Sequence, residues 1–177
     1  MELMTRWWSG EELAAEAERL VPGSVSKISA TACIFKAENL VQVLSALRDN
    51  PATNFAHLSN LCGVDQWDRF EVVYHLQSLE MNQIACAKVE VQDREEPSVP
   101  SVVSIWQGAW IQESETYDLF GIRFEGHPNL QRILLWDGYP GYPLRKDFLS
   151  MPGGLQPGLN EFAGTSAKPE PPVRPVE

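Results

Sequence analysis

The stretch that decides the fold is residues 70–91, FEVVYHLQSLEMNQIACAKVEV. Over Phe70–Leu79, alternate residues form one mostly apolar side, and the residues between them form a mixed side. A period of two is typical of a strand that buries one face. A short polar turn leads into a second strand-like run, Gln83–Val91. We therefore predict two antiparallel strands with one face in the core.

The residues before this stretch predict more strands and two helices. Further strands are expected at Phe55–Cys62, Val25–Ile28 and Thr31–Phe35. Ser9 begins a capping box with Glu12, which favours a helix up to Leu20, and the apolar spacing of 37–48 favours a second helix. The fold class predicted is α+β, with a mostly antiparallel sheet covered by helices.

The second half of the chain is less regular. We expect a charged loop over Asp93–Pro100, a helix over about Val102–Phe120 and irregular structure after Gly121. Residues 1–149 are taken as one α+β domain. Residues 150–177 are rich in Pro and Gly and poor in aliphatic residues, which predicts an extended irregular C-terminal tail, mobile alone and protected in a complex.

Charge and composition exclude several classes of protein. The formal net charge is −10, from 24 acidic and 14 basic residues, which argues against binding to nucleic acid or to an anionic membrane surface. No apolar run approaches the roughly 20 residues of a spanning helix, so no direct membrane span is expected. The N-terminus shows no signal-peptide pattern.

No motif for a cofactor or a metal is found. Cys33, Cys62 and Cys86 are widely spaced and form no CxxC pair, so neither a zinc site nor an iron–sulfur cluster is expected from this chain. Glycine-rich nucleotide loops and hydrolase or metalloprotease motifs are missing from the sequence. We expect a colourless protein that is inactive alone and belongs in a reducing compartment.

Four titratable residues are candidates for acid–base chemistry: Glu113, Glu115, Asp118 and His127. Acid–base pairs need a pocket that separates their pKa values, and a sequence does not show one. We interpret the three carboxylates as a solvated or salt-bridged helix face. A free-standing acid–base enzyme that uses them with His127 is the alternative.

The segment from Tyr117 to Leu149 favours docking to another protein. It contains equal numbers of acidic and basic residues, among them Arg132, Arg145, Lys146 and Asp147, together with several aromatics. Pairing of these charges within the monomer is compatible with docking. We expect Arg145 to grip a carboxylate, either within the fold or from a neighbouring subunit.

Three runs in this half resemble a known family. Residues 113–122, ESETYDLFGI, resemble the motif EREVWDMFGI; residues 127–134, HPNLQRIL, resemble HPDLRRIL; and 138–148, GYPGYPLRKDF, resemble GFxGHPLRKDF. Residues 69–76, RFEVVYHL, resemble the same family's central strand. In this order and spacing they are similar to the C subunit of the NADH–quinone oxidoreductases, or complex I.

The resemblance implies a role as well as a fold. Such a subunit is a cofactor-free part of the hydrophilic arm of a proton-translocating complex, on the cytoplasmic face of the cell membrane. Its partners are the large quinone-site subunit and the iron–sulfur subunits, which it braces for electron transfer to quinone. Flavin, iron–sulfur clusters and quinone are expected in those partners.

Three departures from the family pattern leave the branch open. Ser114 and Gln131 stand where the family usually has Arg, and Tyr142 stands where it has His. A plastoquinone-, ferredoxin- or hydrogenase-linked membrane complex therefore stays an alternative to a true NADH dehydrogenase.

Overall fold

The structure is a computed structural model that describes residues 4–148. Leu149 and the predicted tail over 150–177 lie outside the described residues, so the expectations for the tail stay predictions. The helices are α1 (Gly10–Leu20), α2 (Leu40–Asp49) and α3 (Ala109–Phe120). The strands are β1 (Arg6–Trp7), β2 (Val25–Ile28), β3 (Cys33–Phe35), β4 (His57–Asp65), β5 (Phe70–Ser78), β6 (Gln83–Val91), β7 (Ser98–Pro100) and β8 (Arg123–Glu125).

Strand β5 is the centre of the main sheet, and the prediction of an α+β fold is confirmed. The sheet has the order β2-β3-β6-β5-β4, and β5 pairs antiparallel with both β4 and β6. Strands β3 and β1 pair with β6 in parallel. The pair of β3 with β6 is parallel because helix α2 carries the chain across between β3 and β4, so that β6 runs in the direction of β3. The sheet is therefore mixed but mostly antiparallel.

The alternation along β5 identifies the buried face. Phe70, Val72, Tyr74 and Leu76 are fully buried and pack with apolar residues of α1 and α2 in one cluster. The other face is mixed, as predicted, and Glu71 forms an ion pair with Lys88 on it at 3.0 Å. Helix α1 begins as predicted, since Ser9 and Glu12 form the capping box.

The third helix and its surroundings differ from the prediction. Helix α3 begins at Ala109 rather than near Val102. The hydrogen bonds before it close separate turns, from Trp106 to the carbonyl of Val102 and from Ala109 to that of Trp106, so no continuous helical ladder forms there. The loop predicted over 93–100 contains β7, and the region expected to be irregular contains β8. These two strands pair in parallel, so both expectations were wrong in part.

Helix α3 packs against β4, the edge strand of the sheet, and this contact positions the motif residues. Gly63 of β4 makes the close approach possible, since a Cβ there would lie 2.8 Å from the ring of Phe120. Within residues 4–148, none of the helices has the length and apolarity needed to cross a membrane.

Candidate docking site

The end of helix α3 is the point on which the C-terminal segment folds back. Gly121 follows the helix with a φ of 75°, a left-handed conformation that favours glycine. A Cβ on Gly121 would also collide with the ring of Tyr142. Leu144 donates its N–H to the carbonyl of Leu119 at 3.1 Å, so residues 142–148 lie over the helix end.

Glu113 is buried rather than solvated, which corrects the interpretation of this residue as part of a helix surface. Its carboxylate is 0% exposed and accepts hydrogen bonds from the hydroxyl of Ser101 and the N–H of Val102, both at 2.7 Å. It forms no ion pair in the described part of the chain. Burial raises the pKa of Glu113 to about 7, although both hydrogen bonds favour its charged form. Its evident role is to tie α3 to the turn before it.

Asp118 is also fully buried, and it organises the loop that follows β8. One carboxylate oxygen accepts from the guanidinium of Arg132 at 3.2 Å. The other oxygen accepts three consecutive backbone N–H groups, from Ile133 at 3.0 Å, Leu134 at 2.8 Å and Leu135 at 2.9 Å. The expected salt bridge is present, but it is buried. A charged acceptor shared by three amides fixes this loop against helix α3.

Glu115 and His127 do not join these carboxylates in a catalytic group. Glu115 is exposed, in agreement with the solvated interpretation. His127 accepts the N–H of Asn129 on Nδ1 at 3.1 Å, so its Nε2, 3.1 Å from the carbonyl of Trp110, is the donor to that carbonyl. Both ring nitrogens are therefore engaged by backbone groups, and the ring also meets Trp110 edge-on at 5.3 Å.

Asp65 is a second anchor, which the sequence did not reveal. Its buried carboxylate binds both terminal nitrogens of Arg94, at 2.7 and 3.0 Å, and accepts the N–H groups of Trp67 at 2.7 Å and Lys146 at 3.0 Å. Burial alone would raise the pKa of Asp65, but these hydrogen bonds hold it at about 2. Arg94 also reaches Asp147 at 3.3 Å, so this cluster fastens residues 146–147 to the end of β4.

Arg145 is held by carbonyl groups, not by a carboxylate of the described chain. Its Nε donates to Phe120 at 2.6 Å and its Nη1 to Arg94 at 3.0 Å. The guanidinium lies 4.7 Å from the ring centre of Tyr142, and burial lowers its pKa. No carboxylate in residues 4–148 grips Arg145, so a carboxylate from a neighbouring subunit, the other expected source, stays a prediction. The ammonium nitrogen of the neighbouring Lys146 lies 5.5 Å from the ring centre of Trp67.

Large apolar side chains project from the segment that these anchors fix. We call the group formed by Ile133, Leu134, Trp136 and Leu144 the apolar patch; their exposed fractions are 41%, 59%, 49% and 51%. The loop that bears Ile133 and Leu134 is held by a buried carboxylate, so these side chains are exposed on a fixed backbone. Fixed aromatic and aliphatic side chains are typical anchors in protein interfaces.

Sequence reasoning missed Asp65 and Arg94 because the two partners lie 29 residues apart in the chain. The one local signal is the spacing Asp65-Gln66-Trp67, in which an Asp side chain accepts an N–H two residues on. Among residues 4–148, no group of three or more His, Cys, Asp or Glu side chains is arranged to hold a metal ion.

Comparison with known proteins identifies the family. Residues 33–152 match the family described as "Respiratory-chain NADH dehydrogenase, 30 Kd subunit". The C subunit of the NADH-quinone oxidoreductase of Roseiflexus sp. (strain RS-1) is 45% identical over 140 residues, which is 77% of this chain and 80% of the relative. One of the C subunits of the NADH-quinone oxidoreductases of Rhizobium meliloti (strain 1021) is 42% identical over 143 residues, or 78% of this chain and 74% of the relative.

A solved structure is similar as well. One chain of the membrane-bound sulfane sulfur reductase, an archaeal respiratory membrane complex, superposes with a TM-score of 0.62 and 27% identity, covering 78% of this chain and 85% of that chain. The fold and the anchored surface define a small α+β protein whose C-terminal segment is fixed against helix α3. It belongs to the respiratory-chain NADH dehydrogenase 30 Kd subunit family, and the resemblance seen in its motifs is confirmed.

Proposed function

We propose that this chain is a non-catalytic structural subunit in the hydrophilic arm of a proton-translocating NADH–quinone oxidoreductase. In this role it braces the quinone-site and iron–sulfur subunits, peripherally, on the cytoplasmic face of the cell membrane. Flavin, iron–sulfur clusters and quinone belong to its partners, and this chain holds none of them. The names of its curated relatives support NADH and quinone as the substrates of the complex.

The observation that supports docking most strongly is the loop fixed by Asp118. This carboxylate accepts three consecutive amides, while the side chains of Ile133 and Leu134 on the same loop are exposed. A loop that only closed the fold would gain stability by burying these apolar side chains. Holding them outward on a fixed backbone instead lowers the entropy lost on binding a partner.

The hydrogen bonds of Glu113 and His127 within the fold argue against the alternative that this chain is a free-standing acid–base enzyme. Glu113 is bound by Ser101 and Val102 inside the core, and His127 has both ring nitrogens bound by backbone groups. A general acid or base needs a nitrogen or oxygen that can reach a substrate. Glu115 is the exposed member of the set, and no hydrogen bond joins it to the others in residues 4–148.

The test is purification of the tagged full chain from detergent-solubilised membranes of its own organism. We expect the quinone-site and iron–sulfur subunits to co-purify in equal amounts, together with NADH–quinone activity. The chain purified alone should show no flavin or iron–sulfur absorbance and no NADH oxidation. A flavin or cluster bound in equal amount to the isolated chain would refute the cofactor-free proposal.

A further inference from the structure

A cleft of about 490 Å³ lies beside the end of α3, apart from the apolar patch. Its lining includes Gly121, Leu130 and two tyrosines, Tyr117 and Tyr142, whose ring centres are 6.4 Å apart. Arg123 and Arg145 contribute cations to the lining, and Glu95 and Glu96 contribute carboxylates. Tyrosine and arginine are the residue types most often found as anchors of protein interfaces.

The charged groups of this cleft stand on a fixed backbone. Asp93 accepts the N–H groups of Glu95 at 2.8 Å and Glu96 at 3.0 Å. Arg123 begins β8 and donates its N–H to the carbonyl of Pro97 at 2.8 Å. Arg145 is held by the two carbonyls described above. The cleft is therefore formed before any partner arrives, which favours binding because little order remains to be imposed.

The four charges in the cleft lack ion-pair partners in residues 4–148. Ion pairs form elsewhere in this part of the chain, yet neither the two arginines nor the two glutamates take part in one, even with each other. The guanidinium of Arg145 is partly buried, and burial lowers its pKa, so it lacks some of the hydration that a free cation has in water. An unpaired, partly dehydrated cation gains more from an arriving carboxylate than an exposed one does.

We propose that this cleft binds a segment of a neighbouring subunit that presents an acidic and a basic side chain together. The acidic side chain pairs with Arg123 and Arg145, and the basic one pairs with Glu95 and Glu96. This charge pattern fixes the register of the partner segment, while the apolar patch supplies a separate contact. The inference rests on the proposed function, and it specifies the chemistry of one partner surface.

The experiment compares single variants of the tagged full chain, purified with its complex. Arg123→Gln and Glu96→Gln each remove one charge from the cleft. The matched controls are Lys36→Gln and Glu38→Gln, which remove exposed charges that form no ion pair in the described part. We expect each cleft variant to retain about tenfold less partner subunit, since close charge pairs at interfaces contribute that much or more. The controls should match the wild type, and Arg123→Lys, which keeps the charge, should fall between.

A second experiment measures the accessibility of Arg123 in the wild-type chain, so its result does not depend on whether the variants fold. Phenylglyoxal should modify Arg123 in the free chain, where it is exposed, and should fail to do so in the complex. Equal modification in both states, or cleft variants that retain partners as well as the controls, would overturn the inference. Protection of Arg123 in the free chain by millimolar acetate or citrate would assign the cleft to a small carboxylate and overturn it too. If the wild-type chain co-purifies with no oxidoreductase subunit, the proposed function itself fails.

Discussion

Asp118 shows how one side chain links the interior of this protein to its surface. Its carboxylate is fully buried on α3 and is satisfied by Arg132 and three amides of the next loop. Hydrogen bonds to a charged group contribute roughly 1.5–3 kcal/mol each, more than neutral ones. Asp118 is therefore expected to set the geometry of the apolar patch without being exposed itself.

The variant Asp118→Asn tests whether Asp118 holds the loop that carries the apolar patch. It removes the charge and places an amide group against donors, so we expect the free energy of unfolding to fall by about 2–4 kcal/mol. Amide exchange at residues 133–135 should accelerate more than exchange in β5. The control is Glu115→Gln, an exposed change on the same helix that should stay within about 0.5 kcal/mol of the wild type. Unchanged exchange at 133–135 would show that Asp118 does not hold the loop.

Glu113 makes the stability of the fold depend on pH. Its pKa rises from 4.5 in the unfolded chain to about 7 in the fold, so the folded state binds this proton more tightly. The stabilisation is then complete below the unfolded pKa and is lost as the pH rises through the folded pKa. Asp65 acts in the opposite sense, because its folded pKa of about 2 lies below its usual 3.8, so its contribution is lost only as the pH falls toward 2.

We predict that Glu113→Gln removes the loss of stability that Glu113 causes as the pH rises. Relative to the wild type, the variant should gain roughly 2–4 kcal/mol between about pH 4 and pH 8, at 1.36 kcal/mol per unit of pKa shift. Urea unfolding at a series of pH values measures the difference. Parallel profiles for wild type and Glu113→Gln would mean that Glu113 is charged in the fold at neutral pH.

At the scale of elements, the junction between α3 and the C-terminal segment depends on Gly121. The residue needs both a left-handed backbone and the absence of a Cβ, because the ring of Tyr142 occupies that space. Tyr142 in turn stacks with Arg132 at 5.1 Å and Arg145 at 4.7 Å. The C-terminal end of α3 therefore positions both the loop of the apolar patch, through Arg132, and the lining of the cleft, through Arg145.

Gly121→Ala should lower the free energy of unfolding by about 2–4 kcal/mol. Left-handed strain accounts for roughly 1–2 kcal/mol of this, and overpacking against Tyr142 accounts for the remainder. In a Tyr142→Ala background the same substitution should cost only about 1–2 kcal/mol, because the steric conflict is gone. An equal loss in both backgrounds, measured by chemical denaturation, would show that the ring does not press on Gly121.

The accuracy of the sequence predictions differs between elements for physical reasons. Strand β5 and helix α1 were predicted well because alternation and a capping box are local signals. The start of α3 was placed too early because the backbone hydrogen bonds of Trp106 and Ala109 close two separate turns instead of one continuous helical ladder. The pairing of β7 with β8 and the cluster around Asp65 join distant parts of the chain, and no local pattern reveals them.

In the candidate site, too, the sequence revealed which residues belong to one segment but not which of them are buried. The sequence identified Asp118, Arg132 and Arg145 as residues of one docking segment, and the structure brings them together around Tyr142. It did not reveal that Glu113 and Asp118 are buried, because α3 has no single apolar stripe that separates a core face from a solvent face. A helix covered by the sheet on one side and by an irregular segment on the other loses that periodicity.

For the whole molecule, the two buried carboxylates Asp65 and Asp118 fasten the same part of the chain, the residues after α3. The clusters of Asp65 and Asp118 both fasten the chain after α3, and that chain presents the apolar patch and one wall of the cleft. In the isolated chain the patch leaves large apolar side chains in water, which a binding partner would cover. We therefore expect damage to the apolar patch or the cleft to change how much complex is assembled, not how fast the assembled complex turns over.

The most direct measurement is the rate of NADH–quinone turnover per assembled complex, together with the amount of complex, in membranes carrying Ile133→Ser with Leu134→Ser. We predict about tenfold less complex or lower, because two anchors are lost, with a turnover per complex close to the wild-type value. Ile28→Ser, an exposed isoleucine on edge strand β2, is the control and should change neither quantity. Normal assembly with strongly reduced turnover would contradict the claim that this chain acts by docking alone.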